Sequence, residues 1–311
     1  MDSGSILHGV ITILLDDLLP IFVVAAVGFV LARRWHVDVK SLSRVTFNAL
    51  APCLIFHLLV TSRVSPGEAG RVVLFTVLLV VGIGLIARLT AIPFGLNRPD
   101  LSAFLIVVMF SNAGNYGMSV VLFAFGREHL ARAALYFATS ALLMFTLGVV
   151  VASSGRQRLH LALRGVFKVP ALYGVLAAVA VLWTGTTLPA GLMRPVELLS
   201  GAAIPGMLLV LGMQLERGRW PERPGLVAAA GVLTLVVTPV LGFGLTALLG
   251  LEGPARQAVI VQSGMPSAVI TTILALEFDV APAFVTAAVV LTTALSPITV
   301  TAVIALAKTL G

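Results

Sequence analysis

The sequence predicts an all-helical polytopic membrane protein of ten spans, on three observations. Of its 311 residues, 59% are hydrophobic and only 11% are charged, with a mean hydropathy of +1.08; a soluble domain carries about 25% charged residues. Apolar runs recur roughly every 30 residues, and each is close to the about 20 residues that a helix needs to cross the hydrocarbon layer. The runs are continuously apolar rather than alternating. That selects helices over a closed barrel, the other form that satisfies its own backbone in lipid. A soluble enzyme is excluded, because so few charges cannot wet a chain of this length.

Each span is an apolar run bounded by polar residues. The first is Asp17–Arg34, preceded by a short interfacial segment, and the second is Ser41–Thr61 with Pro52 inside it. The third is Ala69–Ala91 and the fourth Leu101–Phe125, which carries a polar stretch at its centre. The fifth is His129–Ala152, the sixth Val166–Trp183 and the seventh Pro195–Leu215, with Pro205 inside it. The eighth is Leu226–Leu249, the ninth Arg256–Leu276, again polar at its centre, and the tenth Pro282–Ala307. Met1–Val10 contains Asp2 and no Lys or Arg, so a cleaved signal peptide is not expected. Cys53 stands alone, which excludes an internal disulfide and a cysteine metal cluster; no metal or cofactor is expected.

The net charge of +7 is read as topology rather than as nucleic-acid binding. Connections on one side hold 13 Lys and Arg residues, among them Arg33, Arg34, Arg44, Arg88, Arg98, the run from Arg156 to Lys168, and Arg217 to Arg223. The other side, with both termini, holds 7: Arg63, Arg71, Arg127, Arg132, Arg194, Arg256 and Lys308. Loops rich in Lys and Arg stay in the cytoplasm, so both termini are expected outside it. The excess of Arg over Lys suggests a GC-rich bacterium, hence its inner membrane.

The longest basic connection, Ser153–Lys168, falls halfway along the chain, and the halves correspond across it. Pro52 and Pro205 lie 153 residues apart, and Asn112 and Ser263 lie 151 apart. Five spans per half is an odd number, so the second half must cross in the opposite sense. The expected organisation is one transmembrane domain, 1–311, of two inverted repeats, 1–155 and 160–311, the plan of many secondary transporters.

No acidic or basic residue falls near the centre of a span, so the polar residues at depth are few: Asn48, His57, Asn112, Asn115, Tyr116, Tyr136, Gln262 and Ser263. Asn112 and Asn115 stand among Gly114 and Gly117, residue types that tolerate unwound backbone. The ninth span holds Gly264 and Pro266. Broken helices there would leave two positive helix ends, near Met118 and Pro266, converging at mid-depth on an anion. The competing reading is interhelical packing by asparagine. His57 is either a packing residue or a proton-coupling group, Asn48 either a ligand contact or interhelical glue, and Tyr136 either a cavity hydroxyl or an interfacial residue.

Several stretches resemble the auxin efflux carrier family, which includes plant PIN-type carriers and bacterial permeases. They are Leu19-Pro-Ile-Phe followed by Gly28, Leu50-Ala-Pro-Cys-Leu-Ile-Phe56, Ser111-Asn-Ala-Gly-Asn-Tyr-Gly117, Ala203-Ile-Pro-Gly-Met-Leu-Leu-Val-Leu-Gly-Met-Gln-Leu215 and Gly264-Met-Pro-Ser-Ala268. The likeness spans nearly the whole chain and lies in the order and spacing of these stretches together. It implies ten helices in an inverted repeat, with helices 4 and 9 broken and crossing, and a bundle that moves its site past a scaffold including helices 1, 2, 6 and 7. It further implies an organic-anion substrate, auxin-like or malate/malonate-like, with Asn112 and Pro266 matching the family's crossing residues. Ser119 departs from the family's usual proline. Within that reading Asn112, Asn115 and Ser263 contact the carboxylate, beside Tyr116, Pro266, Asn48, Tyr136 and Gln262. The expected partners are the anion, the lipid bilayer and, as an oligomer, a second copy. A membrane-embedded enzyme or a receptor fits less well, for want of an acid pair, a His cluster or a connection long enough for a signalling domain. The nearest alternative is a sodium-coupled carrier of the bile-acid type.

Overall fold

The structure, a computed structural model, describes residues 3–153, 167, 169–216 and 223–310. The basic residues from Arg156 to Arg164, with Lys168, Arg217 and Arg219, lie outside them, as do the expected ends of the two repeats at 155 and 160. In chain order the helices are α1 (His8–Trp35), α2 (Val39–Thr61), α3 (Pro66–Phe94), α4 (Arg98–Met109), α5 (Ala113–Phe125), α6 (Arg127–Ala152), α7 (Pro170–Thr184), α8 (Ala190–Leu215), α9 (Pro224–Leu248), α10 (Gly253–Ser263), α11 (Ile270–Glu277) and α12 (Pro282–Lys308). Among the described residues seven of these, α1, α2, α3, α6, α8, α9 and α12, are long and apolar enough to cross a membrane. The pairs α4–α5 and α10–α11 are interrupted helices within the fourth and ninth expected spans.

Local chemistry sets the helix ends. Asp38 caps α2 by accepting from the Lys40 and Ser41 amides at 3.2 and 3.0 Å. Ser65 accepts from the Glu68 amide of α3, and Asn97 from the Asp100 amide of α4. Each side chain replaces a partner that the first helical turn lacks. Prolines open α3, α7, α9 and α12, where the missing N–H costs nothing.

One element differs from expectation. The residues before Asp17 form no separate interfacial segment, because helix runs without interruption from Ser3 to Trp35. Asp17 can sit inside it, buried, because the Lys308 ammonium at the end of α12 lies 2.9 Å from its carboxylate.

The helices pack in two groups. In one, α1 lies along α8, and α2 lies along both α7 and α8. Small residues allow this closeness. A Cβ added at Gly212 would overlap the Ala25 carbonyl, and one at Gly28 the Leu209 carbonyl. In the other, α3 packs on α6 and α9, α6 on α10, and α12 on α9, α10 and α4. The Glu68–Arg132 pair joins α3 to α6 at 2.6 Å, with side chains only 19% and 10% exposed. Removing one partner of a buried pair leaves an uncompensated charge. Arg132→Ala should therefore cost about 3 kcal/mol, read as a lower thermal unfolding midpoint in detergent.

Candidate functional site

The two interruptions meet. At Phe110 the backbone turns extended, and Ser111 and Asn112 carry side chains that compete with helical hydrogen bonding. On the other segment, Pro266 has no amide to donate and disfavours helical backbone at Met265, and neither residue is helical. The freed backbone groups then satisfy one another. The Asn112 amide donates to the Pro266 carbonyl at 2.7 Å, and the Ala268 amide to the Phe110 carbonyl at 2.8 Å, around an antiparallel bridge between Ser111 and Ser267. The Ser111 hydroxyl donates to the Gln262 carbonyl, and the Ser267 amide to the Thr292 hydroxyl. Pairing of this kind is the condition under which unwound backbone persists in a membrane interior.

Helix resumes at Ala113 on one side and Ile270 on the other. Both N-termini border a cavity of about 270 Å³, near the lower end of the roughly 300–1,000 Å³ typical of small-molecule sites. The first amides of a helix have no intrahelical partner and carry its positive dipole end. Asn112 and Asn115 line the same wall, 5% and 4% exposed. The Asn112 Nδ2 and the Asn115 Oδ1 are buried without a hydrogen-bond partner among the described residues. The Asn115 Nδ2 donates to the Gln214 Oε1, on α8, at 3.4 Å. The opposite walls are largely apolar, with Phe47, Phe137 and Phe145 among them. Ser43 and Arg44, near the start of α2, and Pro170, the first residue of α7, also line the cavity.

Of the expected contacts, Asn112, Asn115 and Asn48 line this cavity. Asn48 also donates to the Arg44 carbonyl at 2.8 Å. The other expected contacts are not among the cavity's lining residues. Tyr116 is buried, with its hydroxyl accepting from Ser296 at 3.3 Å; the Tyr136 hydroxyl lies 3.4 Å from that of Ser111. Gln262 donates to the Ala113 carbonyl at 3.2 Å and so braces the start of α5. The Ser263 hydroxyl is spent on the Ile260 carbonyl, and Pro266 contributes its carbonyl to the crossing. His57 is half-buried in α2 and does not line the cavity.

The break itself also needs correction. It falls at residues 110–112, and the following helix starts at Ala113 rather than near Met118; the second helix end is at Ile270 rather than at Pro266. Gly114 and Gly117 lie inside a wide helical turn, Ala113–Gly117, whereas Gly264 and Pro266 do lie in a break. What requires glycine at 114 and 117 is packing: a Cβ at 114 would come within 2.8 Å of the Phe137 ring, and one at 117 would overlap the Gln262 Oε1. Sequence reasoning missed Arg44 and Gln214. Arg44 was weighed as topological charge, although its spacing of four from Asn48 puts both on one helix face. Gln214 stood within the quoted stretch that ends at Leu215.

Comparison with known proteins adds to the geometry. The family model described as "Membrane transport protein" matches twice, over residues 13–162 and 156–304. An uncharacterized transporter of Methanothermobacter thermautotrophicus is 28% identical over 288 residues, covering 90% of this chain and 94% of the relative. An uncharacterized transporter of Methanocaldococcus jannaschii is 26% identical over 293 residues, with the same coverage.

Proposed function

Because this chain belongs to the membrane transport protein family, the auxin efflux carrier type, we propose that it carries a small organic anion, with the carboxylate held between the N-termini of α5 and α11. The observation that carries this reading is the unpartnered Asn112 Nδ2 beside both helix ends. A buried donor with nothing to donate to costs about 1–3 kcal/mol. A carboxylate there would accept from it and from first-turn amides other than those of Ala113, Thr271 and Thr272, which the Ser111, Ala268 and Val269 carbonyls already hold. The apolar walls favour a substrate with one charged end and an apolar or aromatic body, since a second carboxylate lying against Phe137 and Ile273, away from Arg44, would be desolvated without a partner.

The transport cycle is an elevator. The group α1, α2, α7 and α8 is the scaffold, and the remaining helices, with the crossing, move as the carrier bundle. Three observations support an inverted repeat of five plus five spans: one family model matches both halves, the interrupted segments run antiparallel where they cross, and the pairings α1 with α8 and α2 with α7 are those that an exchange of the halves would interchange. The face bearing Arg44 and Pro170 is cytoplasmic and both termini are outside, so the cavity is open inward.

The test is a thermal-shift screen of purified protein against aromatic monocarboxylates and against malonate and malate, with and without sodium. At 100 times Kd a ligand should stabilise the fold by about 2.7 kcal/mol, and the midpoint should rise by several degrees with the monocarboxylates, sodium or not. A rise with neutral solutes alone would overturn the reading.

A further inference from the structure

Gln214 occupies a position that the carrier reading leaves unused. It is the penultimate residue of α8 in the scaffold group, it lines the cavity, and its side-chain carbonyl accepts from the Asn115 Nδ2 at 3.4 Å. Asn115 belongs to α5, in the other group, and its Oδ1 has no partner among the described residues, so the bond to Gln214 is what holds its side-chain amide there. A glutamine carbonyl and a carboxylate oxygen are acceptors of the same kind, and the ionised one forms the stronger bond. The Asn115 Nδ2 has two N–H groups, and a substrate carboxylate at this wall, the stronger acceptor, would draw it away from the long 3.4 Å bond to Gln214.

We propose that Gln214 is an internal stand-in for the substrate: it holds the Asn115 amide in the empty protein, ties scaffold to bundle across the cavity, and lets go when a carboxylate takes its place. Gln214 is a positioning residue here. Its bond costs nothing to the loaded carrier and holds back the empty one, so movement without cargo is suppressed. The inference rests on the elevator reading above, and adds to it which contact makes the motion depend on loading.

The experiment needs no knowledge of the natural substrate. In a Cys53→Ala background, the only cysteine of the chain having been removed, Ala141→Cys places a thiol in the cavity wall. A membrane-impermeant maleimide is then applied to ligand-free proteoliposomes from either face. Labelling should be fast from the Arg44 face and slow from the other. Gln214→Leu, which cannot accept, should raise the slow rate between about twofold and tenfold, the range set by losing one hydrogen bond. Gln214→Met should do the same, and serves if the leucine variant fails to fold. Gln214→Glu keeps an acceptor and should remain at or below the parent rate. Unchanged far-face labelling in the leucine and methionine variants, or a glutamate variant that behaves like them, overturns the stand-in while leaving the carrier reading intact. A thiol that no variant exposes to the far face overturns both.

Discussion

Asn112→Ala should reduce carboxylate uptake by about 10- to 100-fold, the loss expected when a hydrogen bond of about 1.5–3 kcal/mol to a charged group disappears. Two features of the crossing make this variant informative. The backbone amide of residue 112 holds the Pro266 carbonyl whatever its side chain, so the junction of the two interrupted helices survives the substitution. Its Nδ2 has no partner among the described residues, so its removal breaks no bond made there and relieves a buried unsatisfied donor. The unloaded variant should therefore unfold at or slightly above the parent midpoint while transport collapses. A purely structural asparagine would show the opposite, with stability and uptake falling together. Asn112→Asp should be as damaging as alanine, because a fixed negative charge would then face both helix ends in place of the substrate.

The largest effect on stability is expected at Gly212. A valine there would drive its Cβ into the Ala25 carbonyl, a backbone atom that cannot rotate away, at the tightest contact between α1 and α8. Overpacking of this kind costs about 3 kcal/mol or more, and the scaffold would have to separate to relieve it. Gly212→Val should lose its monodisperse peak on size exclusion, or retain it only at reduced temperature. Gly201, on the same helix, meets nothing within 4 Å. Gly201→Ala should leave the peak intact and raise the midpoint slightly, since alanine favours helix over glycine. The contrast separates a clash from a general intolerance of substitution in α8.

Most helix boundaries could be read in advance because lipid enforces them: an apolar run of the right length has few alternatives to a helix. The exact break could not. Gly114 and Gly117 looked like the breakers, but glycine permits an unwound backbone without requiring it, and here both serve packing against Phe137 and Gln262. The interruption falls instead where Ser111 and Asn112 find backbone partners, Ser267 and Pro266, 156 and 154 residues along the chain, a pairing that no local pattern announces. Polarity also told burial without direction. Tyr116, Tyr136, Gln262 and Ser263 are polar and buried, yet they do not line the cavity: Tyr136 and Gln262 bond Ser111 and Ala113 at the crossing, Tyr116 bonds Ser296, and Ser263 its own helix. Arg44 is the converse: its charge counts toward the topology, yet it also lines the cavity.

The most direct measurement compares proteoliposome uptake of one aromatic monocarboxylate with uptake of its carboxamide, a neutral molecule of nearly the same shape. Helix ends and an asparagine donor that select negative charge should admit the acid and pass the amide at no more than the rate of empty liposomes. Equal uptake of the two would mean that shape alone is read, and that the meeting of α5 and α11 is not an anion site.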